Sequence, residues 1–213
     1  MVTELLAPHL KQYLESLVPA RPPEMQAMEA YAREVRFPII GPAAGQFCYL
    51  LARIVGARRV FEMGSGFGYS TAWFARAVQE NGGGTVSHVV WDEGLSRRAR
   101  VHLAALGFDE IIQYHVGEAV ETLRRADGRF DLIFNDIDKE GYPDSLPVIA
   151  EKLRPGGILI VDNMFWQGRV FVSTDRSPAT QGVRELTRMI TSDPRWIPSV
   201  VPIRDGLLVA SRV

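Results

Sequence analysis

Three glycines at 64, 66 and 68 stand between a strand-like run ending at Met63 and a helix-like run beginning at Tyr69, and they constrain this chain more than any other feature. The stretch reads Phe61-Glu62-Met63-Gly64-Ser65-Gly66-Phe67-Gly68-Tyr69-Ser70. A strand-to-helix turn of this composition reverses tightly and lets a ligand approach closer than a β-carbon would permit. It implies a nucleotide-like small molecule. Tyr69 occupies the place where a dinucleotide fingerprint carries its third glycine, so a nicotinamide or flavin cofactor is disfavoured. S-adenosylmethionine is the better candidate.

From Arg58 onward the pattern of strand, turn and helix repeats. Strand-like runs fall at 58–63, 85–91, 110–116, 130–136 and 157–162, with helices predicted at 69–80, 95–106, 118–125 and 143–153. That alternation predicts an α/β fold with a mostly parallel sheet, right-handed crossovers and helices on both faces. A further helix is predicted near 179–192, then strands near 197–203 and 207–212 joined by Arg204-Asp205-Gly206. The joint is too short for a helical crossover and predicts an antiparallel hairpin at the sheet edge. Ahead of the first strand, Leu6, Leu10, Tyr13, Leu14 and Leu17 recur at helical spacing before Pro19, and 24–36 and 42–55 also read as helices. Residues 1–57 are thus expected to form a helical cap on an α/β core over 58–213, together one domain.

Charge and cysteine usage narrow the partners. The 24 basic and 25 acidic residues nearly cancel, so no field of one sign exists to gather nucleic acid or acidic lipid. Cys48 is the sole cysteine, which excludes an intrachain disulfide and suits a reducing compartment. No apolar run approaches the roughly 20 residues of a membrane span, and the N-terminus lacks the layout of a signal peptide. The expectation is a soluble, cytoplasmic protein.

In an open α/β sheet, ligands bind beyond the carboxyl ends of the strands, so those ends should carry polar residues that a core would not choose. Strand 4 ends in Asn135-Asp136-Ile137-Asp138-Lys139 and strand 5 in Asp162-Asn163. Asp136 and Asp162 are 26 residues apart, one crossover unit, which puts them at the tips of adjacent strands. Two neighbouring carboxylates repel unless a cation lies between them. With the amide oxygen of Asn163 they form a set of hard oxygen ligands suited to Mg²⁺, Ca²⁺ or Mn²⁺. Lys139, three residues after Asp136, is a candidate base whose ammonium form a nearby dication would disfavour. Helix capping and turn formation are the competing explanation for either acidic pair taken alone.

Together with Gly45-Gln46-Phe47, Trp166 and Pro202-Ile203-Arg204-Asp205-Gly206, these motifs make the chain from about Phe37 onward resemble the cation-dependent O-methyltransferases, which include catechol and caffeoyl-CoA O-methyltransferases. The resemblance implies a Rossmann-like seven-stranded methyltransferase sheet with an antiparallel C-terminal strand, S-adenosylmethionine as methyl donor, a divalent cation with Mg²⁺ first, a catechol-like acceptor and a homodimer. By position it implies Asp136, Asp162 and Asn163 as metal ligands and Lys139, with Asp136, as catalytic. Glu62, Gly64, Ser65 and Ser70 fall where that family holds the methionine half of the donor, and Gly66 is expected to bind the donor too. Glu118 and Ala119 fall at the adenine, Asp138 at a further donor contact, and Gln167 at the substrate. Helix capping competes as the explanation of Ser70 and Glu118.

One departure stands out. The acid that grips the donor's ribose in that family falls at Val90, which accepts no hydrogen bond; Asp92, two residues on and on the same strand face, is the candidate replacement. Trp91 between them is read as core filling, with stacking on adenine the alternative. Tyr142, Phe165 and Trp166 either wall an aromatic substrate or pack the core. His9, His88, His102 and His115 are scattered and form no ligand spacing, while Arg97-Arg98 and Arg124-Arg125 read as solvated helix faces. The alternatives are methyl transfer to another oxygen or nitrogen without metal, or a non-catalytic donor-binding protein.

Overall fold

The computed structural model describes residues 8–213. Three helices come first: α1 (Pro8–Ser16), α2 (Pro23–Val35) and α3 (Gly41–Ile54). Leu6 of the predicted opening helix lies outside the described residues. Then strands and helices alternate through β1 (Arg59–Met63), α4 (Tyr69–Glu80), β2 (Thr85–Val90), α5 (Glu93–Ala105), β3 (Ile112–Val116), α6 (Ala119–Arg125), β4 (Phe130–Asn135), α7 (Tyr142–Lys152) and β5 (Leu153–Val161). Helix α8 (Pro178–Ser192) leads to the closing hairpin of β6 (Trp196–Val201) and β7 (Leu207–Arg212).

The seven strands lie in the order β3-β2-β1-β4-β5-β7-β6. Strands β1 to β5 pair in parallel, and β7 is inserted antiparallel between β5 and β6. The hairpin thus sits at the edge as expected, with its second strand inward. Strand order reverses between β1 and β4, and the crevice opens beyond their carboxyl ends. A ligand bound there meets the glycine turn after β1 and the acidic segment after β4 together.

Strands covered on both faces read as continuous apolar runs, and the two-residue repeat divides each run between the two sides. Val60, Leu132, Phe134 and Ile160 pack on one face with α2, α3 and α4, through Met28, Cys48, Trp73 and Phe74. Phe61, Met63, Ile133, Leu159 and Val161 pack on the other with α6, α7 and α8, through Leu123, Ile149, Leu186 and Ile190. The buried thiol of Cys48, pushed up by desolvation, behaves as a core side chain.

Among the boundaries that differ from the sequence expectation are three in the sheet. Asp109–Ile111 forms a 3₁₀ turn, so β3 starts later than 110. Strand β5 begins at Leu153, with a register shift between Phe130 and Leu132 of β4 that takes up Pro155 and its two following glycines. Strand β6 ends at Val201, leaving Pro202 to Gly206 as the hairpin turn.

One residue of the interior makes stability depend on pH. His88 of β2 pairs in register with Glu62 of β1, and its Nδ1 lies 3.0 Å from Thr71 Oγ1 while Nε2 has no partner. Burial, then the charges of Arg100 and His115, pull its pKa down to about 3. Acidification protonates the unfolded chain first, near the ordinary value of about 6.5, so the stability His88 supplies above that pH is lost as pH falls toward 3. Between about pH 6.5 and pH 5 the expected loss is about 2 kcal/mol. Urea unfolding of the native chain and His88→Gln at about pH 7 and pH 5 checks this. The variant should show the smaller drop, and equal drops contradict the assignment.

Candidate active site

The glycine turn is built to bring three strand ends together. Gly64 and Ser65 donate their N–H groups to Val89 O at 3.2 and 2.9 Å, and Asp136 N donates to Met63 O at 2.9 Å, so the parallel ladder continues past the ends of β1 and β4. Ser65 Oγ accepts from Val89 N at 2.9 Å, which makes Ser65 a structural clasp of the turn as well as part of the cavity wall. Gly64 adopts φ +86°, and a β-carbon there would lie 2.3 Å from Asp136 O. Beyond the turn, α4 starts at Tyr69 with Gly68 as its N-terminal flank and no side-chain cap. Its first N–H groups are therefore free to bind an anion, and the helix dipole favours one.

Glu62 lies fully buried beneath this turn, on the face covered by α4. Thr71 donates its hydroxyl to Glu62 Oε2, while Oε1 has no partner. Desolvation raises the carboxyl to about 7, and the hydroxyls of Ser70, Thr71 and Ser65 hold it back from going further. A buried acceptor left open directly under a glycine cradle and an uncapped helix fits a ligand carrying both an ammonium and a carboxylate, as an amino acid moiety does.

Two cavities meet at this point. A cavity of about 170 Å³ is lined by Gly64, Gly66, Val90, Trp91, Asp92, Ala119 and Asp138. A larger one of about 560 Å³ is lined by Gly64, Ser65, Gly66, Ser70, Asp136, Asp138, Lys139, Asn163, Trp166, Gln167 and Arg204. Asp138, exposed and with no capping bond, faces both.

The residues expected at the smaller cavity divide. Ala119 lines it, and Trp91 does so while 64% exposed, which corrects its reading as core: β2 ends at Val90, so Trp91 already lies on the rim. Val90 is buried in the wall. Asp92 is on the rim, with Oδ1 accepting from Leu95 N at 2.7 Å as the cap of α5. The carboxylate of Glu118 is occupied in capping α6, accepting from Val120 N at 2.9 Å and Glu121 N at 2.5 Å.

At the larger cavity, Lys139 is buried, and its Nζ donates to Asp136 Oδ1 at 2.7 Å and to Ile137 O at 3.1 Å. It also lies 5.0 Å from the ring centre of Tyr142 and 5.8 Å from that of Trp166. Tyr142 is fully buried and donates to Asp162 O at 2.8 Å, so it supports the ammonium from behind and does not wall a substrate. Phe165 packs against Phe171 and over Gly206, so that of Tyr142, Phe165 and Trp166 it is Trp166 that lines the cavity. Burial and the negative charge of Asp162 push the Asp136 carboxyl up, with Lys139 opposing.

Asp136, Asp162 and Asn163 do converge, but not as an open metal shell. Asp162 is fully buried, its Oδ1 accepting from Asn163 N at 2.8 Å and its Oδ2 from Arg204 Nη1 at 2.6 Å. Asn163 Nδ2 donates to Asp205 Oδ2 at 3.1 Å. The two facing carboxylates are each already paired with a cationic side chain. As arranged, these residues do not fit the divalent ion expected of them.

Arg204 was visible in the sequence only as part of the final hairpin turn. Its signal is a basic residue in a short turn whose strand inserts beside β5, and that placement depends on the sheet order. Gln167 reaches the cavity with φ +54° and donates its N–H to Asp205 Oδ1 at 2.7 Å. No helix of the described residues is long and apolar enough to cross a membrane.

Comparison with known proteins agrees with this architecture. A catechol O-methyltransferase of Niastella koreensis is 31% identical over 155 residues, 71% of this chain and 69% of that protein. Among solved structures, an O-methyltransferase from Bacillus cereus in complex with SAH matches with a TM-score of 0.87 and 26% identity, over 96% of this chain and 97% of that one. The O-methyltransferase TomG from Streptomyces achromogenes, involved in tomaymycin synthesis and solved with SAM, matches with a TM-score of 0.86 and 26% identity, over 96% of both chains. Residues 24–213 match the O-methyltransferase family profile, and the chain belongs to that family.

Proposed function

We propose that this enzyme transfers the methyl group of S-adenosylmethionine to one hydroxyl of an aromatic small molecule that carries two neighbouring hydroxyls. The observation that carries the reading is one cavity shared by the glycine turn after β1 and the Asp136–Lys139 pair after β4. The N-terminus of α4 and Glu62 suit the amino acid end of the donor, and the smaller cavity by Trp91 and Ala119 suits its adenine. Asp92 stands in for the ribose acid missing at Val90. Bound there, the donor supplies a sulfonium methyl group whose bond to sulfur breaks as an acceptor oxygen lone pair forms the new C–O bond, leaving S-adenosylhomocysteine.

The chain's own part is to place and deprotonate that oxygen. Lys139 and Arg204 both face the larger cavity, so two cationic donors stand ready for two adjacent oxygens. Lys139 hands a proton to the Asp136 carboxylate as it takes the one from the acceptor hydroxyl, so the proton comes to rest on Asp136, and holding the oxygen in line with the methyl group supplies most of the acceleration. Phe37, Ile39 and Trp166 provide apolar wall for a ring. A further cavity of about 460 Å³, bounded by Phe37, Ile39, Ile203 and the α1–α2 region, leaves room for the remainder of an acceptor.

Incubation with S-adenosylmethionine and a vicinal dihydroxybenzene should give a monomethyl ether and one S-adenosylhomocysteine per methyl group transferred. Donor binding without product across a panel of dihydroxylated aromatics would overturn the reading. On the same footing we place the enzyme in a reducing, cytoplasmic setting and read 1–57 and 58–213 as cap and core of one domain. A homodimer accounts for the exposed Leu10, Tyr13 and Leu17 along α1 and its end. A monomer in sedimentation equilibrium would remove that part.

A further inference from the structure

We propose that the guanidinium of Arg204 is the resident cation of this site, holding the position between the strand-end acids that a divalent ion would otherwise take. The proposal rests on reading the cavity as a methyl-transfer site. Four observations carry it. Arg204 Nη1 donates to Asp162 Oδ2 at 2.6 Å, and Asp162 has no exposed surface. The remaining oxygen of that carboxylate accepts from the Asn163 backbone, so Asp162 has both oxygens engaged. The partner carboxylate, Asp136, is paired with Lys139 at 2.7 Å. Finally, Arg204 sits at φ +55°, in the left-handed region, where a long side chain is strained and a glycine would be at ease.

Strain of this kind persists where the surroundings fix it, and here the ion pair joins the turn bond from Gly206 N to Ile203 O and the bonds from Met164 N and Phe165 N to Gly206 O and Asp205 O. Hairpin insertion places the turn directly opposite the end of β5, so a residue 42 positions from Asp162 in sequence becomes its counter-ion. A guanidinium is charged at every accessible pH, is less strongly hydrated than an ammonium, and presents several donors in a fixed plane. With one donor on Asp162 and its edge on the cavity, it can accept an acceptor oxygen's charge as a cation should. A magnesium ion demands six oxygens in near-ideal octahedral order and would face two fixed positive side chains at short range. The chemistry asked of a metal here, neutralising the acids and stabilising an oxyanion, is thus met by a side chain.

Binding of Mn²⁺ followed by the loss of its free-ion EPR signal tests this without relying on turnover. The wild-type enzyme should take up no stoichiometric Mn²⁺ at micromolar concentration. Arg204→Gly, which suits the backbone at that position, should gain a site at least about tenfold tighter, a factor that corresponds to one unit of log K. Adding Asp162→Asn to Arg204→Gly should abolish that gain. Uptake by the wild-type enzyme, or no gain in a folded Arg204→Gly, overturns the proposal. If Arg204→Gly does not fold, Arg204→Ala takes its place, and wild-type uptake alone remains sufficient to refute. In parallel, turnover in excess chelator should match turnover with added Mg²⁺, and a requirement for Mg²⁺ overturns the proposal. Should no acceptor be methylated at all, the functional reading fails while the Mn²⁺ titration still reports on Arg204.

Discussion

Lys139→Ala is expected to lower kcat by about 10²–10⁴-fold, the usual range for loss of a positioned acid–base group, while S-adenosylmethionine still binds. The size follows from the place of the ammonium, buried against Asp136, Ile137 O and the rings of Tyr142 and Trp166, where no other described side chain replaces it. Lys139→Arg separates two roles. If Lys139 only neutralised Asp136, arginine would restore the rate; if it handles the acceptor's proton, arginine will not, because its guanidinium does not give up a proton in this range. The expected outcome is failure of the arginine variant with donor affinity retained, measured by steady-state kinetics and calorimetry. Rescue by arginine would reduce Lys139 to a charge.

The second large effect falls on the turn itself. Gly64→Ala places a methyl group 2.3 Å from the carbonyl oxygen of Asp136 at φ +86°. Overpacking of this kind costs about 1–3 kcal/mol, and the left-handed conformation adds about 1–2 kcal/mol for a residue with a β-carbon. The main chain at 136 has no room to retreat without breaking its bond to Met63 O. Gly64→Ala should therefore unfold at clearly lower denaturant and bind the donor weakly, because the displaced turn also carries the start of α4. Unchanged stability together with unchanged donor affinity would show that the turn is looser than these distances imply.

The sheet was readable because its residues obey local rules. The glycines at 64, 66 and 68, the doubly apolar runs of β1, β4 and β5, and the acids at the tips of β4 and β5 each show themselves within a few residues. The candidate site was legible in part: Asp136, Lys139 and Asn163 line one cavity, while Asp162 lies buried behind its ion pair with Arg204. Trp91 escaped because a tryptophan next to a buried valine looks like core until the strand's last residue is known. Glu118 was ambiguous because a carboxylate at a helix start can cap or bind, and here both of its oxygens bond to the N–H groups of α6. Arg204 escaped for a different reason. Its partner is 42 residues away, and only the insertion of β7 between β5 and β6 makes them neighbours. Local pattern carries no information about such a contact.

A crystal structure with S-adenosylhomocysteine and a vicinal dihydroxybenzene bound together tests the central claim most directly. The account predicts the sulfur beside the turn at Gly64–Gly68 and one hydroxyl oxygen within hydrogen-bonding distance of Lys139 Nζ, facing the sulfur. An aromatic ring bound elsewhere, or with both oxygens turned away from Lys139, would contradict it.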